Sequence, residues 1–391
     1  MKILKLKNIK SFILTVINVL KIFIISFFRY NQNNSSKFIF FYFPLKAYQE
    51  NLIELVKLLN KKDNVYVYVI YNSLASDEVR FKKNSLFIDF GYLRFIPLSN
   101  FFLSKINFLI SSYVLYIFLP NTKNIYISHD IYDAPMVNKK IEKKLFIELS
   151  KLDHIFVSSL IVKKYFEEKL KKYVKYKKYL KTKITNTGYL KLDHVTRILK
   201  NKKNKESHIL IAPTGSNFYK NLNLSSNLLD MIYFLLKKKY KIIYRPHPMD
   251  LTKKGNNQLV KNVIEKFKYY DNFKTDLSSS YLKSYLESRL LITDFSGTAY
   301  TYSFSTNKPV IFFSKNNYSK LFSYFKKSNY FQDRKEIGYI VNSLQNLDNK
   351  LIKLNKSKNI FSDKIKKLKN KRIQYFGNSL NITKREIEKL F

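Results

Sequence analysis

Ser296, Gly297 and Thr298 are the residues whose chemistry stands out first. They follow Asp294 at the end of an apolar run, Leu290-Leu291-Ile292-Thr293, and precede Ala299 to Phe304, which can continue as a helix. Ser296 suits an N-cap, and Gly297 lets a ligand approach the backbone closely. Unpaired N–H groups at such a helix start attract an anion, and the Ser296 and Thr298 hydroxyls can add hydrogen bonds. The same residues also suit an ordinary structural cap. Two histidines stand in comparable turns. His247 lies between Pro246 and Pro248, whose rings stiffen the loop, and its imidazole can donate to an anion. His129 ends the run Ile125 to Ser128 and is followed by Asp130. Ligands gather at such strand ends in open parallel sheets, and a histidine there can act as a general base. His154, His194 and His208 have no such setting and are read as structural.

These turns need strands and helices to hold them, and the pattern supplies both. Lys37 to Phe43, Asn64 to Tyr71, Leu86 to Phe90, Ile125 to Ser128 and His154 to Ser158 read as strands, several buried on both faces. Helices are expected near Ala47 to Leu59, Lys140 to Ser150 and Leu160 to Leu180, and Phe101 to Leu119 reads as a buried helix. In the second half, His208 to Ala212, Lys241 to Tyr244, the run before Asp294, Pro309 to Phe313 and Gly338 to Val341 read as strands. The helix Leu224 to Lys238 falls between the first two. Alternation of this kind predicts an α/β chain with two doubly wound, Rossmann-like domains facing a cleft. The expected division is a membrane-associated segment 1–36, an acceptor-side domain 37–194, a charged linker 195–207 and a donor-binding domain 208–391 ending in helices.

The chain has 391 residues, no cysteine, 33 Phe and 31 Tyr, so it can build sizeable cores but no disulfide or thiolate metal site. The formal net charge of +44 favours anionic partners, although lysine is also among the residues that AT-rich codons supply. A nucleic-acid-binding protein is the alternative of another class; the charge is spread along the chain, with no nucleic-acid-binding motif, and nucleic acid is not expected as a partner. At the N-terminus, Asn8, Ser11, Thr15, Asn18 and Lys21 recur at steps of three and four along an apolar helix. This predicts a helix lying in the interface of an anionic membrane, polar stripe towards the headgroups, with a single span and a buried helix as the alternatives. No small-residue cleavage site follows, so a removed leader is not expected.

Four ordered segments resemble the CDP-glycerol glycerophosphotransferase family, the teichoic-acid-type polyol-phosphate transferases of glycosyltransferase B fold. Gly188 to Asp193 (GYLKLD) resembles its Gly-x-Pro-Arg-x-Asp, with Leu190 for proline and Lys191 for arginine. Ile209 to Ser216 (ILIAPTGS) resembles its Tyr-Ala-Pro-Thr strand end, and Arg245 to Asp250 (RPHPMD) its His-Pro-x-Asp element. Thr293 to Gly297 and Lys308 to Phe312 resemble its Thr-Asp-Tyr-Ser-Ser and Lys-Pro-Val-Ile-Phe, with Gly297 for the second serine. The match covers the second half; in the first half only Ile127 to Asp130 aligns, with Asp130 for the family's glycine. The resemblance implies transfer of glycerol phosphate, or another polyol phosphate, from a CDP-activated donor to a hydroxyl of a lipid-linked or cell-surface glycan, with release of CMP. It implies donor-binding roles for Lys191, Thr214, Arg245, His247, Asp294, Ser296, Gly297 and Thr298, and catalysis by His129 as base and His247. No cofactor is implied, and the helix start can hold a diphosphate without metal. The implied place is the cytoplasmic face of the membrane, peripherally bound. The alternative enzyme of the same fold transfers a sugar from a nucleotide sugar in capsule or lipopolysaccharide synthesis.

Overall fold

The computed structural model describes residues 2–33, 35–43, 49–71, 85–93, 95–96, 98–114, 119, 121–132, 139–174, 181–200, 206–218, 223–251, 257–278, 280–314, 328–357 and 359–391. By its internal contacts the chain forms two units. The first comprises residues 1–129, 138–191 and 377–391; the second comprises 130–137 and 192–376. Each holds one wholly parallel sheet.

The first unit's sheet has seven strands: β1 (Lys37–Phe43), β2 (Val65–Tyr71), β3 (Ser85–Phe87), β4 (Phe108–Ser111), β5 (Lys123–Ile127), β6 (His154–Val157) and β7 (Lys183–Asn186), in the order β3-β2-β1-β4-β5-β6-β7. A parallel sheet covered on both faces needs strands apolar on both faces. The strand β1 reads Lys-Phe-Ile-Phe-Phe-Tyr-Phe for this reason. Phe38, Phe40 and Tyr42 join a core with Val19 and Ile22 of α1 (Lys2–Gln32), while Ile39, Phe41 and Phe43 join one with Leu52, Leu55 and Leu59 of α2 (Gln49–Leu59). Helices α3 (Lys139–Leu149) and α4 (Leu160–Tyr173) cover the β6 side, with Phe146 and Phe166 in edge-to-face contact.

Three departures from the sequence-based expectations stand out. The run Phe101 to Leu119, expected as a helix, holds the strand β4 instead. Asn107 opens it by accepting the Phe38 amide at 2.8 Å through Oδ1, which fastens the segment beside β1. Residues 195–200, expected in a linker, continue α5 (Leu190–Lys200), while residues 201–205 lie outside the described residues. Part of the polar stripe of α1 turns towards the rest of the first unit: Ser11 and Thr15 are buried and Asn18 half-buried, while Lys21 stays exposed. Thr15 accepts the Asp89 amide at 3.1 Å, and Asn18 donates to the Phe87 carbonyl at 2.9 Å. The face left outside is mostly apolar, with Ile9, Ile13, Ile17, Leu20, Ile24, Phe27 and Phe28 each at least 40% exposed beside the exposed Lys10, Lys21 and Arg29. Residues Ile9–Gln32, with a mean hydropathy of 2.2, are long and apolar enough to cross a membrane.

The second unit's sheet has six strands: β8 (His208–Ile211), β9 (Lys241–Tyr244), β10 (Phe273–Thr275), β11 (Ser288–Thr293), β12 (Val310–Phe313) and β13 (Gly338–Val341), ordered β10-β9-β8-β11-β12-β13. The order reverses between β8 and β11, whose residues pair from Leu290↔Ile209 to Ile292↔Ile211. Ligands of open α/β sheets bind outside the strand ends at such a switch point. Helices α6 (Leu228–Lys237), α7 (Asn257–Phe267), α8 (Thr298–Thr306), α9 (Leu344–Lys356) and α10 (Ser362–Arg372) belong to this unit. The closing helix α11 (Ser379–Glu388) belongs to the first, where Ile387 enters the α2 core and Glu388 meets Lys62 at 2.8 Å.

Candidate functional site

The switch point gathers three of the motif turns at the C-terminal ends of β9, β8 and β11. Asp294, the first residue after β11, is buried and ties two of them together. Its Oδ1 accepts the amides of Thr214 at 2.8 Å and Phe295 at 2.7 Å, and its Oδ2 accepts the Leu224 amide at 2.7 Å. Burial pushes this carboxyl above its usual range, against the pull of the three amides. Each amide left unsatisfied here would cost about 1–3 kcal/mol. The side chain of Asp294 therefore holds the turn, and the ligand-facing groups must come from residues it positions.

The turn's carbonyls are held as well. Arg334, buried over the rings of Phe312 and Phe331, donates to the Asp294 carbonyl at 3.1 Å. Tyr330 donates its hydroxyl to the Ser296 carbonyl at 3.1 Å. Ser296 Oγ accepts the Thr298 amide at 3.3 Å, and its carbonyl accepts the Ala299 amide at 3.1 Å. Gly297 is exposed and Thr298 is half-buried at the start of α8. A Cβ at Gly297 would lie 3.6 Å from Asp130 Oδ1, so a carboxylate stands at the rim of this turn. The result is a helix start whose carbonyls are held by hydrogen bonds, an arrangement that can stabilise charge without rearranging.

The turns after β8 and β9 are joined by a second buried carboxylate. Asp250 accepts the Ser216 amide at 3.1 Å and the Ser216 hydroxyl at 2.7 Å. Asn223 donates to the Ser216 and Phe218 carbonyls. Gly215 sits close to its neighbours: a Cβ would lie 3.1 Å from His247 Nδ1 and closer still to the Phe218 ring, so a side chain here would force one of them to shift. His247 Nδ1 accepts the Met249 amide at 3.2 Å, which places the proton of the neutral ring on Nε2. Burial lowers the pKa of His247, partly opposed by Asp250. A neutral Nε2–H donor fits this setting better than an imidazolium. Arg245 is directed elsewhere, with its guanidinium 2.7 Å from Asp276 and also donating to the Ser280 carbonyl.

In the first unit, His129 follows β5. Its Nδ1 is 2.8 Å from the Ser112 carbonyl, which can only accept, so that nitrogen carries the proton and the neutral ring's lone pair is on Nε2. Tyr189 donates to the His129 carbonyl at 2.6 Å. Lys191 lies in the first turn of α5, after Gly188 with φ of 84°. The next residues along from His129 belong to the second unit. Tyr132 is buried there, 4.0 Å from the Tyr300 ring of α8 between centroids, and its hydroxyl donates to Asp333 at 2.7 Å. Arg372 grips both oxygens of Asp333, at 2.7 and 2.9 Å. Burial and this acidic neighbour keep the Tyr132 hydroxyl protonated.

Thr214, His247, Asp294, Ser296, Gly297 and Thr298 are thus brought together at the C-terminal ends of adjacent strands in the second sheet. Asp250, Asn223, Arg334 and the Tyr132–Asp333–Arg372 chain were not foreseen. Asp250 lay within the RPHPMD motif as a usable signal, whereas nothing local marks the others.

Known proteins resemble this chain in sequence and in fold. Residues 231–338 match the model of the LIC12162 family transferases. The minor teichoic acid biosynthesis protein GgaB of Bacillus subtilis (strain 168) is 32% identical over 154 residues, 39% of this chain. That match spans 15% of the relative's length. Among solved structures, the wall teichoic acid polymerase TagF superposes with a TM-score of 0.61 at 18% identity, covering 91% of this chain and 90% of TagF. The UDP-GlcNAc 2-epimerase of Neisseria meningitidis, bound to UDP-GlcNAc, gives 0.58 at 12% identity, covering 91% and 99%. The fold is α/β of glycosyltransferase B type, and the resemblance to the CDP-glycerol glycerophosphotransferase family is borne out.

Proposed function

We propose that the chain transfers glycerol phosphate, or another polyol phosphate, from a CDP-activated donor to a hydroxyl of a lipid-linked or surface glycan. The observation that carries this is the Asp294-centred turn, which fixes the helix start at Thr298 beside the His247 loop at the switch point. In this reading the donor diphosphate lies at the Gly297–Thr298 helix start, taking over the Thr298 amide that Ser296 Oγ accepts at 3.3 Å in this structure, with His247 Nε2–H donating to it. Lys191 adds positive charge, and Thr214 and the Ser296 hydroxyl line the donor. The acceptor oxygen bonds to the phosphorus that carries the polyol, and the bond from that phosphorus to the bridging oxygen breaks. CMP leaves with the bridging oxygen, and the acceptor proton passes to His129 Nε2. The work is done on the cytoplasmic face of the membrane, with the exposed apolar stripe of α1 set into an anionic surface.

Thermal protection by nucleotides tests the donor class. CDP and CMP should raise the melting temperature more than UDP, GDP or ADP at equal concentration. Stronger protection by UDP would support nucleotide-sugar transfer instead. Preference for long nucleic acid over every mononucleotide would sink both enzyme readings.

A further inference from the structure

A cavity of about 570 Å³ lies in the second unit, against α10 and the short helix Arg334–Ile337. Its lining includes Lys335, Lys364, Lys367 and Lys371, with Asp333 and Arg372 in the wall. We propose that this cavity binds the phosphodiester backbone of a polyanionic acceptor chain. The inference rests on the proposed function for the identity of that chain.

Charge comes first. Arg372 already neutralises Asp333 through its two-point contact, which leaves four lysines against Glu336. Among the described residues none of the four lysines has a carboxylate within ion-pair distance; the nearby Lys366 is the one that pairs, with Asp363. Four like charges on one concave surface repel one another, and a bound anion would relieve this. Their arrangement sets the shape of the ligand. Lys364, Lys367 and Lys371 fall on one face of α10, at rises of about 4.5 and 6 Å, so they present a line of charge rather than a point. A linear polyanion suits that line better than a single phosphate. The sequence of α10, Ser-Asp-Lys-Ile-Lys-Lys-Leu-Lys-Asn-Lys-Arg, also separates its lysines by task. Lys369 is buried and donates to the Phe304 carbonyl at the end of α8, whereas Lys364, Lys367 and Lys371 are exposed.

Concavity favours a chain over a bilayer, because a lipid surface is met by protruding residues. Position favours the acceptor. The wall residue Asp333 holds Tyr132, and Tyr132 stacks on Tyr300 in the helix that starts at Thr298. The cavity and the anion-binding turn thus share one buried strut.

The test uses the full chain and two probes: a synthetic hexamer of glycerol phosphate, and vesicles of phosphatidylglycerol with phosphatidylcholine. The K364Q/K367Q/K371Q protein should bind the hexamer at least ~10-fold more weakly. Its log–log salt slope should be shallower by about two, since each phosphate neutralised on a single strand adds roughly 0.7 to that slope. The K364R/K367R/K371R protein, which keeps the charge, should bind as the unmodified chain does. Equal hexamer binding by the glutamine variant would overturn the proposal, as would equal weakening in both variants. Loss of vesicle binding with hexamer binding retained would overturn it in favour of a lipid site. The readout is binding, so a missing response to CDP would count against the proposed donor alone.

Discussion

His129→Ala should slow transfer by ~100-fold or more, the range for loss of a general base, while donor affinity stays nearly unchanged. The Ser112 carbonyl accepts a hydrogen bond from Nδ1–H of His129, which leaves the lone pair on Nε2 as the basic atom. A base acts on the acceptor's proton and contributes mainly in the transition state, so its loss appears in kcat rather than in donor binding. His129→Gln, which can still hydrogen-bond but cannot take the proton, should be nearly as slow. A His129→Ala protein with near-normal turnover would remove the assignment. Asp130, at the rim of the Gly297 turn, would be the next candidate; Asp133 lies outside the described residues.

His247→Ala should act differently, weakening donor binding and slowing transfer together. A hydrogen bond from Nε2–H to a charged phosphate contributes about 1.5–3 kcal/mol, so binding should fall roughly 10- to 100-fold. The same ring gives a pH signature in the unliganded protein. Its folded pKa lies below the unfolded value of 6.5, because burial disfavours the imidazolium. The unfolded chain therefore binds the extra proton more readily. Folding stability from this group is present above pH 6.5 and is lost as pH falls through the folded pKa. Protonation at Nδ1 would also displace the Met249 amide. The acid-side loss of melting temperature should be smaller in His247→Ala than in the unmodified chain. An unchanged acid profile and unchanged CDP affinity would show that His247 only braces its loop.

Much of this arrangement was legible because parallel sheets constrain their strands strongly. The strands β1, β8, β9 and β11 are apolar on both faces, and the small-residue turns after β8 and β11 and the Pro-rich turn after β9 mark their C-terminal ends. Long-range partners were not legible. Thr15 and Asn18 turn inward because Asp89 and Phe87, about seventy residues away, supply the groups they bond. Arg245 read as a phosphate ligand from its motif, yet Asp276, 31 residues on, meets its guanidinium. The run Phe101 to Leu119 had a helix's length and composition; only its place beside β1 makes residues 108–111 a strand. Asp294 shows the limit from the other side. Its place in the motif was plain, but its bonds to Thr214 and Leu224 depend on which strand ends the sheet order makes adjacent.

The identity of the released nucleotide tests the central claim most directly. The purified chain would be incubated with CDP-glycerol and a lipid-linked polyol-phosphate acceptor, and the products followed by phosphorus NMR and mass spectrometry. Phosphoryl transfer at the polyol-bearing phosphorus predicts one CMP for each new phosphodiester formed on the acceptor. Turnover of a nucleotide sugar with release of a nucleoside diphosphate, and no CMP from CDP-glycerol, would contradict it.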